Sequence, residues 1–540
     1  MKLKIAIPFI GSALAVSSVF GAVVSLTPTN FPTEIALTGS EPDVYEITAD
    51  LTLTAADEYI IEAATFVTNG ATLTIEADTI VRGQPLYTPV GNTNANTSAL
   101  VITQDGFIEA NGTPSQPIIF TTAADTNRTE WTAGDTFLDA TPDTAPLAPT
   151  TGAVPNTGLW GGVILLGEAP TNLDGSLASP ANLSVPVGNI EGLPQDSRTI
   201  YGGLNPNDTS GSMSFVSIRH NGIEISAGNE LQGLTLGGVG LGTDLNNVEV
   251  YCSADDGIEI FGGTVAIKNF MISYADDDSL DMDQGYAGLL QFGFIVQDET
   301  DVVGGDHGFE WDGDDFDENP SNVSLTGLPL CYPTIYNMTL FGDRTDGAND
   351  DALRIRNGGG GNLFNSIVAY YPSNITNLAI DNPGAGNAGF EDSGDRVGSG
   401  TLNLAGVVFY EVSGNTAATI STNTIGEDVI NNNTTNAPGA SLNQVIASGA
   451  GTDPFFGFFV GGNGNDRTIG GNALNPAPVN GAAFGAANSV AVTSTFFTDV
   501  SFVGAFEPGN PNGLLFTTGW TAMNIAGTLV DAASGAVIVP

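Results

Sequence analysis

The chain has 540 residues, 12 basic and 60 acidic, for a formal net charge of −48. A surface so acidic repels nucleic acid and anionic lipid and attracts cations, which excludes a nucleic-acid-binding role. Yet 41% of residues are hydrophobic and only 13% are charged, too apolar for a disordered acidic tail, and 70 glycines point to many turns.

The N-terminus reads as an export leader over residues 1–22. "MKLK" is a basic start, "IAIPFIGSALAVSSVF" an apolar run, and cleavage is expected near Gly21 or Ala22. The run is short and no stop-transfer charges follow, so no transmembrane span is expected in the mature chain. Removal of the leader takes Lys2 and Lys4 and leaves Lys268 as the only lysine.

Residues 23–49 form a lead-in. From residue 50 short β-runs follow one another, first "LTLTAADEYIIEAATFVTNGATLTIEADTIVRGQP" (51–85), then "ALVITQDGFIEANGTPSQPIIFTT" (99–122). Strands of a few residues alternate with tight Asn, Gly and Asp turns, and nothing between them is long enough for a crossover helix. Such a chain winds forward in coils. The spacing predicts an all-β protein, a right-handed parallel β-helix over 50–440. "DATPDTAPLAPTTGAVPNTG" (139–158) reads as an excursion from the coil near 130–158. Residues 441–540 are expected to hold an irregular section and a C-terminal cap. The cap is assigned to the aromatics Phe496, Phe497, Phe502, Phe506 and Trp520, because an open end of a solenoid is an unpaired sheet edge.

The middle of the chain repeats one grammar of strand, acidic turn, strand: "NVEVYCSADDGIEIFGG", "IKNFMISYADDDSLDMD" and "LLQFGFIVQDETDVVGGDHGFEWDGDD". "PTIYNMTLFGDRTDGANDDALRIR" repeats it with a longer insertion. Asp256, Asp277 and Asp306 take comparable places in this grammar. Equivalent positions on successive coils stack about 4.8 Å apart, and carboxylates that close repel unless protonated or bridged by a cation. Ca2+ suits them, since it accepts oxygen ligands in irregular geometry. The candidate ligands are Asp255, Asp256, Asp276, Asp277, Asp278, Asp306, Asp312, Asp314 and Asp315. The competing reading is that these residues make Asx turns and face water.

A series of motifs in fixed order carries a resemblance: "LWGGVILLG", "IEGLP", "YGG", "SGSMSFVSIRHNGIEI", "NELQGLTLGGVG", "DDGIEIFGGTV", "DDDSLDMDQGY" and the closing "FFTDVSFVGAFEPG". Together they resemble a widespread group of exported bacterial β-helix proteins, many of which carry lipoprotein or secretion-sorting signals. The resemblance covers roughly residues 50–530 and implies a right-handed β-helix on or outside the cell. The group has no settled activity, so it lends no catalytic residue. This chain departs from it in lacking the lipoprotein cysteine and an evident sorting tail, which leaves the means of attachment open.

Two functions follow as expectations. The first is a secreted or cell-surface structural, adhesive or binding protein, with calcium stiffening an acidic edge and the cell envelope or an extracellular polysaccharide as partner. The second is a polysaccharide-degrading enzyme. "ADDGIEI", "DHG" and "RIR" (354–356) are similar, in order, to motifs of polygalacturonases, but the first acidic motif of that family has no counterpart here. A pectate-lyase-like site would use calcium with Arg354 or Arg356 as base, whereas ordinary ion pairing of these arginines with nearby acids is the simpler reading. Trp311 and Tyr286 are either sugar-stacking or core aromatics. Cys252 and Cys331 lie several coils apart, which argues against a disulfide, and with His220 and His307 they form no zinc or redox motif.

Overall fold

The computed structural model describes residues 21–38, 44–85, 98–125, 157–173, 187–193, 195–226, 229–297, 305–313, 331–342, 351–371, 376–380, 393–410, 443–446, 455–457, 475–478, 484–485, 489–509 and 516–525. The leader up to residue 20, most of the expected excursion, and Asp314 and Asp315 lie outside the described residues.

Among the described residues two sheets wind into one coil, one of 18 strands (sheet A) and one of 11 (sheet B), parallel except where Ile35–Thr38 pairs antiparallel with Val44–Ile47. The fold is a parallel β-helix. Each middle coil places one strand in sheet B and then a longer, bent strand in sheet A. Sheet B runs through Leu234–Gly237, Ile258–Phe261, Leu280–Asp283, Phe309–Asp312 and Asp351–Arg356, each pairing in parallel with the next. In sheet A, Asp244–Ser253, Ala266–Ser273 and Leu289–Val296 pair likewise. The coil includes the expected lead-in, since Val23–Ser25 already pairs in parallel with Glu58–Ile61 and Val44–Ile47 with Thr65–Val67.

Strand alternation sets what goes inside. Leu234, Ile258, Leu280, Phe309 and Leu353 stack in register, as do Leu236, Ile260, Met282, Trp311 and Ile355, and all are buried in one continuous core. A fully buried side chain of this kind contributes about 1.5–3 kcal/mol, so the repeated ladder is the main stabilising term. Trp311 and Tyr286 are both core residues, 1% and 0% exposed, and offer no sugar-stacking surface. Cys252 and Cys331 are both buried and are not joined in a disulfide.

The bend in sheet A falls on a column of residues with positive φ: Asn247, Asn269, Phe292, Asn337 and Asn365. Asparagine tolerates this left-handed conformation better than most residues, and its amide is then free to bond along the stack. Asn269 Nδ2 donates to Asn246 Oδ1 at 2.9 Å, and Asn337 Nδ2 reaches the carbonyl of Phe502 at 3.0 Å.

The aromatics expected in the C-terminal cap lie along the outer side of sheet A. Phe497 sits 4.5 Å from Tyr336, Phe506 5.1 Å from Phe294, and Trp520 5.8 Å from Phe215, centroid to centroid. Among the described residues no helix is long and apolar enough to cross a membrane.

Candidate functional site

Outward-facing residues of sheet B change character along the coil. On the earlier coils they are apolar, with Phe66, Val101, Ile164 and Leu166 packed under Ile190, Leu193 and Tyr201 of a hairpin whose strands are Gly188–Asn189 and Ile200–Tyr201. From Glu259 onward they are charged, with Phe261 the last apolar member. The sequences "IEIF", "LDMD", "FEWD" and "LRIR" alternate apolar-in with charged-out, so Glu259, Asp281, Glu310 and Arg354 form one outer ladder. Phe261 and Asp283 pair in a second ladder, and Asp312 pairs with Arg356 further along it.

These ladders, Arg354 apart, are the floor of a groove of about 540 Å³. One wall is the hairpin, through Asn189, Ile190, Glu191 and Tyr201, while the segment 169–172 is tied to the far ends of the strands. Asn172 N–H donates to the Gln284 carbonyl at 2.9 Å, and Asn172 Nδ2 to the Gly313 carbonyl at 2.7 Å. The opposite wall consists of the acidic turns that precede the strands. Glycine ends two of these turns, at Gly257 and Gly308, because the backbone there lies against its neighbours. A Cβ on Gly257 would stand 2.3 Å from Ile272 Cγ2, and one on Gly308 would stand 2.6 Å from the Ala352 carbonyl oxygen.

The register corrects the expected equivalence of Asp256, Asp277 and Asp306 by one residue. Ile258, Leu280 and Phe309 are partners, so Asp256 stacks with Asp278 and His307, and Asp255 with Asp277 and Asp306. The backbone agrees: Gly257 N–H donates to the Asp278 carbonyl at 2.9 Å and Ser279 N–H to the His307 carbonyl at 3.0 Å.

The expected ligands divide. Carboxylate oxygens of Asp255, Asp256 and Asp277 lie within 4.8 Å of one another, and so do ligand atoms of Asp278, Asp306 and His307. Asp276 belongs to neither set; its N–H donates to the Ser253 carbonyl at 2.9 Å. Asp312 is not a turn residue. It ends the strand Phe309–Asp312 and holds Arg356, whose Nε donates to both carboxylate oxygens at 2.8 Å. A third set, Asp256, Glu259 and Asp281, also falls within 4.8 Å. Glu259 and Asp281 were not among the expected residues, although their outward place in alternating strands was the signal for them.

With this many acids in one groove, protons are held tightly. Burial, then the charge of Asp277, raises Asp255 to about 8. Burial, then Asp306, raises Asp277 to about 6, and burial, then Asp278, raises Glu310 to about 7. Burial holds Asp256, Glu259 and Asp281 well above the usual carboxylate range, helped chiefly by Asp278, Asp256 and Glu310 respectively.

His307 behaves differently. Burial alone would lower it, but the hydrogen bond to Asp278 and the charges of Asp278, Asp306 and Glu310 outweigh burial and raise it to about 9. Asp278 Oδ1 accepts both the His307 backbone N–H and the ring Nδ1–H, each at 2.7 Å. A proton on His307 therefore offsets one of the two carboxylate charges in its set. The other two sets contain only carboxylates, and only an added proton or a cation can relieve them.

No curated protein and no solved structure matches the chain. The family model of a pectate-lyase-like β-helix domain matches residues 45–134 and 138–452. With that match over well more than half of its length, and its strands wound in parallel around one core, the chain belongs to the pectate-lyase-like β-helix family.

Proposed function

We propose that the protein is an exported β-helix binding protein, structural or adhesive in role, whose sheet-B groove takes up calcium on Asp255, Asp256 and Asp277. The observation that carries this reading is the all-carboxylate set itself, with oxygens within 4.8 Å of one another. Ligand oxygens on one Ca2+, each about 2.3–2.6 Å from it, can lie no more than about 5 Å apart. The ion cancels repulsion between neighbouring coils and stiffens the acidic edge. Export follows the leader, and the cell envelope or an extracellular polysaccharide is the partner that an exported, grooved β-helix suits.

Thermal melting tests the calcium reading. A chelator should lower the Tm, and millimolar Ca2+ should restore it, by about 2.7 kcal/mol at a hundredfold excess over Kd. Sodium at matched ionic strength should restore less, because screening supplies no fixed ligands. Replacing Asp256 and Asp277 by Asn should abolish most of the calcium-specific gain. Melting that ignores the chelator, or sodium acting as well as calcium, would contradict the proposal.

One observation favours the second reading, a polysaccharide-degrading enzyme. Asp255 and Asp256 of "ADDG" and Arg356 of "RIR" line one groove, and His307 of "DHG" is hydrogen-bonded to the groove residue Asp278. Against it, an inverting hydrolase sets its two carboxyl groups about 6.5–9.5 Å apart around a water, whereas the all-carboxylate sets are closer. Both arginines are also engaged, Arg354 with Asp351 at 3.0 Å and Arg356 with Asp312. Turnover of acidic oligosaccharides that vanishes with Asp278→Asn would establish the enzyme.

A further inference from the structure

We infer that the groove holds a second calcium ion, deeper than the first, on Asp256, Glu259 and Asp281, with Asp256 shared between the two ions. The inference rests on the reading of the groove as a calcium site, and it adds two strand residues that the turns do not contain.

Glu259 and Asp281 are direct partners on adjacent parallel strands, so both side chains leave the same face one coil apart. Glu259 is only 7% exposed. Its Oε2 and Asp281 Oδ1 are buried and have no hydrogen-bond partner. Leaving such oxygens bare is costly, more so for ionised groups than for neutral ones.

The neighbouring donors are already committed. Thr235, one coil before Glu259, gives its hydroxyl to Gln232 Oε1 at 2.7 Å. On the other side Arg356 gives Nη2 to Glu310 at 3.1 Å and Nε to Asp312. A cation between Glu259, Asp281 and Asp256 would partner the two bare oxygens at once. The three ligand atoms, within 4.8 Å of one another, fit inside one calcium shell. The chemistry selects the metal: three carboxylates without nitrogen or sulfur do not make a zinc site, and an irregular set favours Ca2+ over the strictly octahedral Mg2+.

Calcium stoichiometry on the full chain tests this. Chain stripped with chelator and titrated with CaCl2, by equilibrium dialysis and by calorimetry, should take two tight ions. Glu259→Gln should take one and so should Asp277→Asn, while Asp256→Asn should weaken both ions at least tenfold. Melting without calcium controls for folding: Glu259→Gln removes a repelling, unsatisfied acid and should melt no lower than the parent. If that variant fails to fold, Asp281→Asn serves in its place with the same expectation. Two ions retained in Glu259→Gln, or a single ion in the parent that Asp277→Asn removes and Glu259→Gln leaves untouched, would overturn the second ion alone. No ion in the parent would overturn the calcium reading of the groove along with it.

Discussion

Without calcium, the protein should be more stable at pH 5 than at pH 8.5. Asp255 rises from 3.8 to about 8, Asp277 from 3.8 to about 6 and Glu310 from 4.5 to about 7 on folding. Between the unfolded and folded values of each group, the native state binds more protons than the unfolded chain. Stability therefore falls as pH rises from about 4 to about 8. His307 acts in the same direction. Its contribution is fully present below 6.5 and is lost as pH passes through about 9. Asp277 is exposed, so solvent screens its share, and the net result expected in the presence of chelator is a loss of about 5 °C or more in Tm. Millimolar calcium should remove most of the fall at pH 8.5, because the metal replaces the protons. Scanning calorimetry at three pH values, with chelator or with calcium, checks this. An apo Tm that is flat or rises with pH would show that the groove acids are not strained.

Glu249→Ala should cost about 3–5 kcal/mol and loosen the C-terminal segment, because it breaks a buried charge pair from one side. Both Glu249 carboxylate oxygens accept the Ala522 N–H at 2.8 Å, and the Ser217 hydroxyl also donates to this carboxylate. Arg219, 0% exposed, donates from Nε to Ser217 Oγ at 2.6 Å, and the attraction between its charge and Glu249 opposes the effect of burial on both groups. Removing the carboxylate takes away the larger of the guanidinium's two counter-charges and leaves Asp125 as the other. The helix Ala522–Ile525 loses its anchor at the same time. Denaturant melting should show the loss, and limited proteolysis should cut first around 516–525. Glu249→Gln keeps part of the hydrogen bonding and should lose less. Unchanged stability in Glu249→Ala would mean that the C-terminal segment is held by its aromatics alone.

The coil was legible because its signal is local. Short apolar runs punctuated by Asn, Gly and Asp, without helical periodicity, leave little but a forward-winding sheet. Half of the groove was legible for the same reason: paired aspartates after a strand mark the turns that hold Asp255, Asp256, Asp277 and Asp278. The floor was missed although it is written in the alternation of "LDMD" and "FEWD". Attention to acidic turns hid the outward acids of the strands, Glu259, Asp281, Asp283 and Glu310. The same alternation points Trp311 inward, beside Phe309, and Asp312 outward to Arg356. The one-residue error at Asp256 arose because turns of different length precede the strands, and only hydrogen-bond register fixes which residues stack. The contact of Ala522 with Glu249 joins residues with |i−j| = 273, and nothing near either one in the sequence announces it.

The most direct test of the calcium account is a crystal structure of the full chain grown with CaCl2 at pH 7.5, with anomalous differences collected at long wavelength. The account predicts anomalous peaks inside the sheet-B groove, one within bonding distance of Asp255, Asp256 and Asp277 and one within bonding distance of Asp256, Glu259 and Asp281. A groove without an anomalous peak, with calcium either absent or bound only to acids elsewhere on the surface, would contradict it.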